Sequence, residues 1–151
     1  MRHRTVLLAA PWMLVLSAAA ADAVDPINRN SQGVAIKGHD PVAYFTAGEP
    51  VKGRPEFEHR WQGAVWRFSS AENRDLFAAD PARYAPQYGG YCAYAVSKGH
   101  TADISPAAWK IVDGKLYLNH RFARGKFEKD VAGAIADADR NWPGIPKKPV
   151  K

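Results

Sequence analysis

Cys92 is the only cysteine in the chain of 151 residues. Histidine is the other residue type here suited to a soft or borderline metal, and a thiolate with imidazole would serve copper or zinc. The thiol follows Gly89-Gly90-Tyr91, where two missing Cβ atoms let backbone approach a ligand closely. Tyr88, Tyr91 and Tyr94 surround it with polar-tipped aromatics. His59 alternates with Phe57 and Trp61 on one strand face, so it is directed inward as the best supporting ligand. His100 follows Cys92 by eight residues with Asp103 close behind, which offers a second set of Cys92, His100 and Asp103. His39 and His120 fall in a turn and at a helix start and read as surface residues. Each candidate also has a plainer explanation: Cys92 as a small buried hydrophobe, His59 as a satisfied hairpin histidine, His100 as part of a solvated loop.

These residues predict a non-enzymatic binding module for a transition metal such as copper or zinc, or for a metal-linked cofactor, centred on Cys92 with His59 and His100. The alternative is a thiol-redox or partner-docking protein without bound metal, and a third reading is a purely structural or interaction domain. A Cys92 nucleophile paired with His59 or His100 is conceivable, but the spacing that would establish it is not a sequence property. No H-E-x-x-H, C-x-x-C or G-x-S-x-G motif is present. Ser69-Ser70 reads as a helix cap, and Glu128, Asp130, Asp137 and Asp139 as the polar face of a last helix.

The elements that would hold these groups follow from periodicity. Phe57 to Trp61 and Val65 to Phe68 alternate around Gln62-Gly63-Ala64, a hairpin pattern that turns Trp66 and Phe68 inward. Trp109 to Val112 and Lys115 to Leu118 flank Asp113-Gly114, a dipeptide suited to a type I′ turn. Val34-Ala35-Ile36 reads as a short strand. Asp40 caps the segment from Pro41 to Phe45, and Ser70 caps a helix that ends at Asp80-Pro81. Asn119 is expected to cap a terminal helix whose apolar face is Phe122, Phe127, Val131, Ile135 and Ala138. The order of elements is that of a small α+β domain: two β-hairpins forming an antiparallel sheet against short helices and a longer C-terminal helix.

The N-terminus has the parts of a cleavable export signal: basic Met1 to Arg4, an apolar run from Thr5 to Leu16, and small residues around Ala19 to Ala23. The apolar run is too short for a permanent membrane span. The organisation predicted is an export signal over 1–21, a flexible lead-in over 22–33, a domain over 34–142 and a flexible tail over 143–151. The expected location is periplasmic or secreted, with another exported protein as one conceivable partner. Loss of Arg2 and Arg4 lowers the formal net charge from +6 to +4. That is too mild for nucleic acid, which is marked by a dense basic stripe.

Three blocks are similar to a known family. Gly38-His39-Asp40-Pro41-Val42-Ala43-Tyr44-Phe45, Trp66-Arg67-Phe68-Ser69-Ser70-Ala71-Glu72-Asn73 and Asp80-Pro81-Ala82-Arg83-Tyr84-Ala85-Pro86 resemble the YHS domain family. Tyr88 to Tyr94 and Trp109 to Asn119 look like a branch of exported bacterial proteins of unassigned function. The resemblance spans nearly all of 34–142. It implies metal handling, as in copper-transporting ATPases, with cysteines in Asp-Pro-Val-Cys and Phe-Cys-Ser-x-x-Cys blocks as ligands. Here Ala43, Ser69 and Asn73 stand at those three positions, so the family's usual site does not carry over and any metal site must be built around Cys92.

Overall fold

In the computed structural model, which describes residues 22–151, the first alternating stretch forms β1 (Arg54–Trp61) and β2 (Ala64–Phe68). They pair antiparallel with His59 opposite Trp66 and Trp61 opposite Ala64, and the ladder is irregular between Arg54 and Glu58. Gln62 and Gly63 both take positive φ (52° and 73°), so the turn matches the twist of the strands it joins. β3 (Trp109–Val112) and β4 (Lys115–Leu118) form the second hairpin, closed by Asp113 and Gly114 at φ 50° and 74°. Each hairpin is its own two-stranded sheet rather than half of a shared one.

Among the described residues, six helices fill the spaces around the hairpins: α1 (Ala43–Thr46), α2 (Ala71–Ala79), α3 (Pro81–Tyr84), α4 (Ala93–Ser97), α5 (Arg124–Lys129) and α6 (Val131–Asn141). The α+β class is that expected. The main core forms where β2 faces α2: Trp66 and Phe68 each lie 5.1 Å, centroid to centroid, from Phe77. All three rings are fully buried, and burial of each side chain contributes about 2–3 kcal/mol. A second cluster joins Tyr88, Ala93, Val96, Tyr117, Phe127 and Ala138. α6 closes this side, and the Asn141 side-chain amide donates to the carbonyls of Val96 and Ser97 at 3.1 Å each, satisfying the open end of α4.

Four local expectations are corrected. Val34 and Ala35 make single bridges, to Val65 and Arg29, and no strand; Ile36 turns at once into a 3-10 segment at φ 41°. The terminal helical run is broken at Asp130, whose backbone leaves the helical region (φ −151°, ψ 75°) and whose carboxylate caps α6 by accepting from Gly133 N–H at 3.0 Å. Asn119 caps α4 instead of a following helix. Phe122 precedes α5 and is 74% exposed, outside the apolar face that its spacing suggested.

The lead-in and the tail carry backbone pairing that composition does not reveal. Val24 N–H donates to Pro146 O at 3.0 Å, and Lys148 N–H donates to Val24 O at 2.8 Å. Further along, Asn28 N–H donates to Gly89 O at 2.8 Å, and Ile27 is buried. The Pro26 carbonyl lies so close to Gly89 that a Cβ there would collide with it. Tyr91 donates its hydroxyl to Asp25 O at 2.9 Å, and burial pushes its phenol up to about 12. The expected export signal over 1–21 lies outside the described residues. Among the described residues, no helix is long and apolar enough to cross a membrane.

Candidate functional site

Asp40 is fully buried, and both its oxygens accept. Oδ1 accepts from the backbone N–H groups of Val42 (2.9 Å) and Ala43 (3.2 Å), which is the cap foreseen for α1. Oδ2 accepts from Ser69 N–H (2.8 Å), Ser69 Oγ–H (2.7 Å) and the Asn73 side-chain amide (2.8 Å). The second Asn73 amide proton reaches Ser69 Oγ at 3.4 Å. An unpaired buried carboxylate is costly by several kcal/mol, and five donors offset that penalty without a cation.

Positions 43, 69 and 73, where the family resemblance would place cysteines, therefore do meet in space. What meets there is the backbone N–H of Ala43, the hydroxyl of Ser69 and the carboxamide of Asn73, each donating to one carboxylate. Their donor protons point at Asp40, and no soft ligand is among them. The arrangement does not fit a thiolate-bound copper or zinc ion. It is a closed polar node joining α1, the end of β2 and the first turn of α2.

Cys92 sits at the N-terminal end of α4 and is 1% exposed. Its Sγ accepts from His120 N–H at 3.3 Å and lies 3.7 Å from Asn119 Oδ1, toward which the thiol proton can point. The same Asn119 oxygen accepts from Tyr94 N–H at 3.0 Å. Asn119 thus ties the end of β4 to the start of α4, with the thiol between them. The capping chemistry of Asn119 is legible in the sequence, but the helix it caps lies earlier in the chain.

The proposed ligands do not gather around this thiol. His59 lies on β1 with its ring edge-on to Phe77, centroids 6.1 Å apart. His100 is exposed in the loop after α4. Asp103 pairs with Lys37 at 3.2 Å and accepts from Asn28 at 3.1 Å. Partial burial alone would raise its carboxyl, but the hydrogen bonds from Asn28, Ile104 N–H and Lys37 outweigh that and hold it below the ordinary range. Among the described residues, no three His, Cys, Asp or Glu side chains are grouped so as to hold a metal ion. Neither Cys92–His59–His100 nor Cys92–His100–Asp103 is an assembled three-ligand site.

The loop between β4 and α5 is the other unusual feature. Phe122 projects from it, with the His120 ring 5.2 Å away and the Arg121 guanidinium 4.6 Å from its centroid. Four residues after Phe122, Lys126 approaches the Tyr94 ring at 5.9 Å, and Lys98 approaches the same ring at 5.4 Å. The spacing of Phe122 suits the helix face of Phe127, but α5 starts only at Arg124 and leaves Phe122 in solvent. In comparisons with known proteins, no family model, curated protein or solved structure matches the chain.

Proposed function

We propose that the chain is a small binding module that acts by docking to a partner, with its one thiol serving the fold from inside. The observation that carries this reading is Phe122: a large exposed aromatic with a guanidinium and an imidazole near its ring, on a loop tied to the buried Cys92 through His120 N–H. Single exposed apolar residues are ordinary on protein surfaces. This one has a guanidinium and an imidazole beside it, and an aromatic with arginine is the composition enriched at interface anchors. The burial of Cys92 supports the same reading, because thiol exchange requires access to the sulfur.

A second reading is favoured by one contact, the 3.3 Å approach of His120 N–H to Cys92 Sγ, which brings a histidine's backbone to the thiol. Copper or zinc would then bind at Cys92 after rearrangement of that loop. Elemental analysis of protein purified without chelator or affinity metal, beside Cys92→Ser, separates the two. The docking reading expects a metal-free protein with a slowly alkylated thiol. Near-stoichiometric copper or zinc that disappears in Cys92→Ser would overturn it.

A further inference from the structure

We propose that Phe122 and Arg121, with Tyr94, Lys98 and Lys126 beside them, form a docking surface for an anionic lipid bilayer; this rests on the docking reading above and names its partner. The first support is charge. Lys98 and Lys126 converge on one Tyr94 ring, and Arg121 lies over Phe122. Among the described residues, none of these three cations has a carboxylate within ion-pair distance. The acidic groups of α5 and α6 are occupied elsewhere: Glu128 with Arg124, Asp130 at its cap, Asp137 with Arg140 and Asp139 with the Tyr88 hydroxyl. The patch therefore carries positive charge that the fold itself does not balance.

The second support is shape. Phe122 stands with about three quarters of its surface in solvent, and a bilayer interface is soft enough to receive such a knob. Phe122 would enter the boundary between headgroups and acyl chains. Tyr94 would lie at headgroup level, and the lysine and arginine stems would reach along it to lipid phosphates.

The test is co-sedimentation of the full-length protein with phosphatidylcholine vesicles, with or without phosphatidylglycerol. The N-terminal segment, with Arg2 and Arg4 ahead of the apolar stretch Thr5–Leu16, is common to every variant, so the difference between wild type and charge-reversed protein reads the patch. The expected result is a preference of about tenfold or more for the phosphatidylglycerol vesicles, lost at high salt. That preference should fall about tenfold when Lys98→Glu and Lys126→Glu are combined, and Phe122→Ala should weaken binding about tenfold, with circular dichroism unchanged in both variants. Equal binding to the two vesicle types, or a preference indifferent to charge reversal, overturns the lipid assignment. Retention of the wild type but not the charge-reversed protein on immobilised polyglutamate would then leave docking standing with an acidic polypeptide as partner. Failure of both assays removes the docking reading as well.

Discussion

The side-chain amide of Asn73 donates to Asp40 Oδ2 at 2.8 Å, linking the first turn of α2 to the cap of α1 inside the core. Asp40→Ala strands five donors at once and should cost about 3 kcal/mol or more, read as a lower midpoint in urea. Asp40→Asn keeps the volume but faces an amide toward the donors of Ser69 and Asn73, and should cost nearly as much. A variant within about 0.5 kcal/mol of wild type would mean that the node does not hold these elements together.

The thiol should behave as an internal hydrogen-bonding group. Cys92→Ser retains an acceptor for His120 N–H and a donor toward Asn119, while Cys92→Ala removes both. The alanine variant should therefore be the less stable, by about 1 kcal/mol relative to serine. Native Cys92 should alkylate far more slowly than the unfolded thiol. Rapid labelling of the folded protein, or a serine variant weaker than alanine, would contradict this account.

Asn119→Ala offers an independent check on the same junction. It removes the acceptor of Tyr94 N–H and the polar neighbour of Cys92 Sγ together, and should cost about 1–3 kcal/mol. Amide exchange at Tyr94 should rise well before exchange in β2. Unchanged protection at Tyr94 would show that α4 does not depend on this cap.

His39 predicts a pH dependence. Burial lowers its imidazole below the ordinary 6.5; the Lys37 carbonyl at 3.3 Å opposes this, and the Lys52 and Lys37 ammoniums add to it. The unfolded chain therefore binds the proton more readily than the folded one. Stability is full above 6.5 and declines as pH falls through 6.5 toward the lower folded value. Urea midpoints across that interval should fall for wild type and fall less for His39→Gln. Parallel slopes would assign the dependence to other groups.

How far the sequence reached depended on how local each signal was. Asp113-Gly114 and the alternation around Trp66 specified both hairpins, because turn chemistry and strand period act within a few residues. Asp40 was legible as a cap for the same reason, yet its partners Ser69 and Asn73 arrive from another element, and no local pattern encodes that meeting. Asn119 misled because a capping residue announces its chemistry without announcing which helix it will serve. His59 was correctly placed on the strand face of Phe57 and Trp61, but the neighbour it finds there is Phe77 and not a thiol. For Phe122 the spacing misled because α5 begins only at Arg124, which leaves Phe122 in the loop before it.

The pairing of Val24 with Pro146 and Lys148 sets an order of events. It joins segments near opposite ends of the described chain, so its loop-closure entropy is among the largest in the molecule, and it should form late in folding. By the same reasoning it should open early: amides of Val24 and Lys148 should exchange through a local opening far shallower than global unfolding. Such an opening would bare the backbone edge of the lead-in and uncover Ile27 while the Trp66–Phe77 core stayed shut. A protease sampling the native ensemble would then find its first accessible bonds at these two clasped segments.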